Sequence, residues 1–272
     1  YNLNDEKCKT ATQGLQDIYR ATRQQEKIIE LAKLYPCSDI SEDDQEAFFY
    51  EAATELYLNE NYQEAIPELK KYLTTYPEGR FSTQLLSYLA DIYYISDDKG
   101  QAMPLYERIL ERPNSPYTEE ALVRTSKTYY NDGEYEKALL YYTRLTKLSS
   151  TPQVIFNSRI GVMRCNYLLE FYLNAAESAQ VVLGDQLLNN DAQIEANYIA
   201  GMSFYYHESY DRAIPYLEWT AENTGTERGT EALHTLAEIY FEKANFEKAE
   251  AIHKELMQRK PAYDFWIGKS LL

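Results

Sequence analysis

Cysteine and histidine are scarce in this 272-residue chain, three of each. Cys8, Cys37 and Cys165 show no CxxC spacing, and His207, His234 and His253 fit no HExxH or related ligand pattern, which excludes zinc and redox motifs. The thiols read as free, buried or incidental, and decide neither a reducing nor an oxidising compartment. GxSxG, Walker A and GxGxxG are absent too. No stretch approaches the ~20 apolar residues of a membrane span, and no Pro/Gly/Ser-rich linker or low-complexity run interrupts the chain. Basic residues are in the minority, 27 against 43 acidic, for a net charge of −16. That field repels nucleic acid and anionic membrane surfaces, and no Lys/Arg cluster offsets it. The acidity reads first as solubility of a helical surface and second as steering of a basic partner.

A starting Met is also missing. The chain opens on Tyr1 and stops at Leu272, inside a pattern of Phe265, Trp266, Gly268, Leu271 and Leu272 that reads as the start of another helix. Both ends therefore read as cut from a longer array, and the lack of a targeting segment is uninformative.

What is present is a period. Ala65, Ala102, Ala138, Ala175, Ala213 and Ala249 follow one another at 37, 36, 37, 38 and 36 residues. Tyr62, Tyr135, Tyr172, Tyr210 and Phe246 precede five of them by three, and Lys99 stands in that place for the sixth. A second small residue stands twelve before most of these alanines, at Ala53, Ala90, Ser126, Gly201 and Ala237. Self-similarity at 20–50 residues means a solenoid of supersecondary units. In the clearest copy, Leu122, Thr125, Ser126 and Tyr129 form one helical stripe. Asn131-Asp132-Gly133-Glu134 supplies a turn, with Gly133 free to take positive φ. Tyr135, Ala138, Leu139, Tyr142, Leu145 and Thr146 form a second stripe, ended by Pro152. Small residues let the two antiparallel backbones approach while aromatics fill the surroundings.

On these residues the chain resembles the tetratricopeptide repeat family, whose 34-residue pattern has small residues at positions 8 and 20, bulky ones at 4, 7, 11, 17 and 24, and proline near 32. Glu46 to Gly79 places Phe49, Ala52, Ala53, Leu56, Tyr62, Ala65, Leu69 and Pro77 on those sites, and Thr230 to Tyr263 places Leu233, Leu236, Ala237, Tyr240, Phe246, Ala249 and Pro261. The resemblance implies an all-α, right-handed superhelical solenoid of antiparallel hairpins, one array over 1–272. Its copies are 46–79, 83–116, 119–152, 156–189, 194–227 and 230–263, with a degenerate one at 9–42 and the start of another at 264–272. A spacing above 34 predicts longer joints between hairpins. Met163 and Asn166 replace a small residue and an aromatic, which predicts an opened or tilted hairpin in the copy from Phe156. Joints such as Pro77-Glu78-Gly79-Arg80-Phe81 and Pro113-Asn114-Ser115-Pro116-Tyr117 look like those of periplasmic members associated with the Tol–Pal system and with outer-membrane assembly lipoproteins. This implies a periplasmic or envelope location, with the cytoplasm as the alternative.

The family resemblance further implies that first helices line a concave groove. Position 12 reads Tyr57, Tyr94, Tyr130, Tyr167, Tyr205 and Phe241; position 5 adds Tyr50, Tyr198 and His234. Tyrosine offers a flat apolar body and a hydroxyl, so the row serves as a binding wall, as packing between successive first helices, or as both. Arg124, Lys127 and Arg164 form a basic patch for an acidic partner segment, or balance local carboxylates. Glu195, Glu231, Glu238 and Glu242 make the later wall acidic. His253 reads as packed, His234 as pointing into the groove. Ser87 and Asp91 do not reproduce the family's carboxylate clamp. Acidic pairs such as Asp43-Asp44, Asp97-Asp98 and Glu119-Glu120 sit where caps and helix dipoles use them, and nothing nominates a catalytic pair.

The chain therefore reads as a non-catalytic scaffold for a protein or peptide, with no cofactor, no metal, no nucleic acid, no membrane insertion and an open oligomeric state. A glycan- or nutrient-binding envelope protein with a tyrosine-lined groove is the alternative, and an α/α-toroid enzyme a third reading.

Overall fold

The structure, a computed structural model, describes residues 5–260 and 263–269. Among them every element is helical. One compact unit, ending at Ala121, holds α1 (Asp5–Ala21), α2 (Gln25–Leu34), a 3₁₀ turn (Pro36–Ser38), α3 (Glu42–Leu58), α4 (Tyr62–Thr75), α5 (Ser82–Ile95) and α6 (Lys99–Leu110). A second unit begins at Leu122, within α7 (Thr118–Asn131), and holds α8 (Tyr135–Leu148), α9 (Pro152–Leu168), α10 (Tyr172–Leu183), α11 (Asn190–Tyr206), α12 (Tyr210–Asn223), α13 (Glu227–Glu242), α14 (Phe246–Gln258) and α15 (Asp264–Lys269). Pro261, Leu271 and Leu272 lie outside the described residues. Within a unit helices pack in chain order as antiparallel hairpins, and first helices also touch, α3 with α5, α9 with α11 and α11 with α13.

One turn is used seven times. The residue just past the first helix is left-handed at Arg23, Glu60, Asp97, Glu170, Glu208 and Ala244, with φ between 53° and 60°, and at Gly133, φ 80°. The next N–H then reaches back to a carbonyl five residues earlier, as in Asn61 to Leu56 and Glu134 to Tyr129, both 2.9 Å, closing the helix end as a Schellman motif does. Only Gly133 adopts this conformation without penalty; a side chain there costs roughly 1–2 kcal/mol.

The small residues sit where expected. Ala53, Ala65, Ala90, Ala102, Ser126, Ala138, Ala213 and Ala237 have no exposed surface. At Gly201 an added Cβ would lie 2.7 Å from Leu217 Cδ2. The copy carrying Met163 stays packed by exchanging sizes: α10 offers Ala175 and Ala179 against the buried Met163. The close approach moves to Gly161, whose Cβ would meet the Tyr142 ring at 2.6 Å. Asn166 Nδ2 donates to Ser178 Oγ at 3.1 Å.

The extra residues per repeat do not all lengthen joints. After α4 and α6 the joints are long and the following first helices, α5 and α7, have 14 residues each. After α8 the joint is short, and α9 runs to 17 residues with Pro152 at its first position, where the missing N–H costs nothing. Pro152 thus opens a helix rather than closing a unit. Arginines at equivalent places tie two joints down. Arg112 donates to Pro77 O at 2.7 Å and Arg259 to Thr224 O at 2.6 Å. The acidic pairs act as caps: Asp44 completes a capping box with Ser41, and Asp98 accepts from Gln101 N.

The thiols depart from expectation. Cys8 and Cys37 form a disulfide across 29 residues, with Cα atoms 6.0 Å apart, because the first hairpin folds the chain back and the 3₁₀ turn swings Cys37 towards α1. Cys165 is free and buried, its thiol pushed up to about 12 by burial. α1 buries only Cys8 and Thr12, so the crosslink is a large part of its attachment, and closing a loop of this size stabilises by about 3–4 kcal/mol. Alkylation of the denatured, unreduced protein should modify one cysteine, and alkylation after reduction three. Three modified cysteines without reductant would remove the crosslink from the fold.

Candidate functional site

The inner positions of the second unit meet one another from hairpin to hairpin. Arg164 on α9 donates bidentately to Glu195 on α11, Nε to Oε1 at 2.9 Å and a terminal nitrogen to Oε2 at 2.6 Å. Arg228 approaches the same carboxylate at 3.9 Å. Glu195 is 9% exposed, and its carboxylate, through that hydrogen bond, raises the Arg164 pKa. Tyr167 packs edge-on against Tyr198 at 6.3 Å, and Tyr198 donates to Glu231 at 2.7 Å. Tyr205 donates to Glu238 at 3.1 Å. Burial pushes the Tyr167 hydroxyl up to about 12 and those of Tyr198 and Tyr205 higher still, and it also raises the Glu231 carboxyl.

His234 is not exposed in a groove. It is 3% exposed, packed against Trp266 and His253 at 5.5 and 6.4 Å. Its Nδ1 lies 3.5 Å from Glu238 Oε2, the outer limit for a hydrogen bond. Glu238 is held below the usual carboxylate range by His234 first, then by Tyr205. Phe241 stands 59% exposed, edge-on to Phe246.

In the first unit the same positions stack. Tyr57 lies face to face with Tyr88 at 3.9 Å and 7°, and Tyr50 with Phe81 at 3.9 Å and 19°. Burial pushes the Tyr57 hydroxyl up to about 12. Tyr94 packs edge-on against Tyr106 at 6.1 Å. A cleft of ≈ 500 Å³ lies between α1, the segment after α2 and α3. Its cations are already engaged, Arg20 with Glu51 at 3.5 Å and over the Phe48 ring, Lys9 with Asp39 at 3.9 Å.

One inner stretch stays open. Between α7, α8 and α9 a cleft of ≈ 520 Å³ is lined by Lys127, Tyr130, Arg164, Asn131, Asn157 and Ile160, with Tyr142 and Leu145 also in its wall. Tyr167 packs on Tyr198 of the next hairpin, and at the position equivalent to Tyr198 the copy beside the cleft carries Ile160, which lines it. Of the three cations expected in a patch, Lys127 is exposed and lines the cleft, Arg164 lines it with its fork already bound to Glu195, and Arg124 is half-buried and outside the lining. Asn131, Asn157 and Ile160 were not singled out by charge or aromaticity; the repeat register, which puts them at inner positions, is the signal that finds them. Among the described residues no group of three His, Cys, Asp or Glu side chains is arranged to hold a metal ion, and no helix is long and apolar enough to cross a membrane.

The Arg164–Glu195 pair predicts a stability effect. Arg164→Ala leaves a nearly buried carboxylate with only the distant Arg228 and should cost about 1.5–3 kcal/mol in urea unfolding. Arg164→Lys should recover less than half, since an ammonium cannot reproduce the bidentate fork. Equal stability of the three proteins would show the pair to be incidental.

Residues 120–149 match the family model described as "Tetratricopeptide repeat", which covers α7, its turn and α8. No curated protein matches the chain. Among solved structures, YrrB, described as a TPR protein with an unusual peptide-binding site, is 17% identical, with TM-score 0.55 over 73% of this chain and 97% of that one. The C-terminal part of a TPR repeat-containing protein from Cytophaga hutchinsonii is 17% identical, with TM-score 0.50 over 94% of this chain and 98% of that one. A tetratricopeptide repeat protein from Parabacteroides merdae is 16% identical, with TM-score 0.45 over 79% of each chain. One repeat, 120–149, thus matches the tetratricopeptide repeat model, and the chain shares the helix-hairpin fold of solved proteins with such repeats.

Proposed function

We propose that the chain is a protein-interaction scaffold whose second unit holds a partner segment in the cleft between α7, α8 and α9. The observation that carries this reading is an open cleft of ≈ 520 Å³ at the start of that unit, next to inner-wall groups that bond to one another, Arg164 with Glu195, Tyr198 with Glu231 and Tyr205 with Glu238. The lining suits an extended peptide. Val123, Leu145, Val154 and Ile160 offer apolar contacts, Asn131 and Asn157 carry both donors and acceptors that match peptide groups, and Lys127 offers a cation to an acidic side chain. That YrrB is described as having a peptide-binding site supports the same use of the fold.

The Cys8–Cys37 disulfide supports an oxidising compartment, because such crosslinks rarely persist in a reducing cytosol. Together with the joint sequences it favours the periplasm or cell envelope.

Selection of random twelve-residue peptides on the immobilised protein tests the cleft. Peptides pairing acidic with apolar residues should be enriched, and Lys127→Glu or Tyr130→Ala should weaken the selected peptides about tenfold, the size of effect expected for losing one charged or aromatic anchor at ~1.4 kcal/mol. Selected peptides indifferent to both substitutions, or no enrichment, would refute the assignment.

A further inference from the structure

The hairpin turns carry a recurring pair of residues. The last residue of a first helix is an exposed apolar side chain at Leu58, Ile95, Leu168 and Tyr206, with exposures of 66, 65, 43 and 46%. Two residues later each of these chains carries an acid in the left-handed conformation: Glu60, Asp97, Glu170 and Glu208. The pairing holds at four of the seven turns; the others carry Ala21 with Arg23, Asn131 with Gly133 and Glu242 with Ala244.

A side chain there is costly for the fold, because the left-handed backbone favours glycine. Neither Glu170 nor Glu208 has a basic partner among the described residues, so intramolecular pairing offers no compensation. In the second unit these two carboxylates, each beside an unburied apolar side chain, point to a ligand outside the chain.

In the second unit two such turns adjoin. Tyr172, just after the first, stacks on Tyr206 of the second at 4.9 Å and 29°. Exposed Phe171 and Leu173 extend the apolar area. Burial, and after it the charge of Glu170, raises the Tyr172 hydroxyl pKa, which places that carboxylate at the same patch.

We propose that the two adjoining turn edges of the second unit dock a basic amphipathic helix of a partner protein. Apolar side chains would cover Leu168, Phe171 and Tyr206 while lysines or arginines pair with Glu170 and Glu208. The spacing suits such a partner: packed helices lie about 8–10 Å apart, and residues i and i+7 of a helix are about 10.5 Å apart, so one heptad steps from one turn to the next. The chain's net charge of −16 favours the encounter.

The test uses the full chain and a fluorescein-labelled 21-residue helical peptide of lysine and leucine with leucines on one face, followed by anisotropy at 0.1 M salt. Replacing Glu170 and Glu208 together by glycine should weaken binding at least tenfold and raise the melting temperature. The combined Leu168→Ser and Tyr206→Ser variant should also weaken binding. Lys127→Glu should leave it unchanged, which separates this surface from the cleft. A charge-matched control, Glu136 and Glu222 both to glutamine, should bind within twofold of the parent. Failure of the parent to bind, equal loss in the charge-matched control, equal binding of a glutamate–leucine peptide, or a glycine variant that binds unchanged or melts lower would each overturn the proposal.

Discussion

Close approach of two helix backbones at a pair of small side chains is the constraint from which the rest of this molecule follows. Ala53 and Ala65 are fully buried, and at Gly201, which meets Leu217, no room remains for a larger residue. The surrounding leucines, tyrosines and phenylalanines are thereby brought into contact over the length of both helices. A single hairpin cannot cover its own apolar face, so each is completed by the next. The copy with Met163 stays packed with other residues: α10 carries Ala179 where other copies have Leu69, Tyr106, Tyr142 and Leu217, and Gly161 lies close to Tyr142 of the preceding hairpin.

Stacking of hairpins also decides what the inner face can do. Most of its polar and aromatic groups are spent holding successive first helices together, through Arg164–Glu195, Tyr198–Glu231 and Tyr205–Glu238. The aromatic row is therefore mortar over much of its length. A cleft lies where Tyr130, Ile160 and Arg164 line one wall, and exposed Lys127 lines it too.

Much of the fold was legible in the sequence because periodic small residues and the Gly133 turn are local signals repeated many times. The remainder depended on what stands opposite. Cys8 and Cys37 are 29 residues apart and lack a motif; only the folded hairpin brings them together. His234 occupies a position that faces outward in a regular repeat, but Trp266 of α15 covers it. Arg164 fits either a groove cation or a partner of a local carboxylate by its position, and Glu195 of the next first helix holds it. Joint length was misjudged for a similar reason, since 17 residues of α9 absorb what was read as linker. Registers were readable; partners across hairpins were not.

The most direct test of the account is the stability of Gly201→Val beside Gly225→Val. Gly201 has Leu217 at 2.7 Å from where a Cβ would be, whereas Gly225 has nothing within 4 Å. Urea unfolding should show a loss of about 1–3 kcal/mol for Gly201→Val and little change for Gly225→Val. Equal stability of the two variants would contradict close helix approach as the basis of the fold.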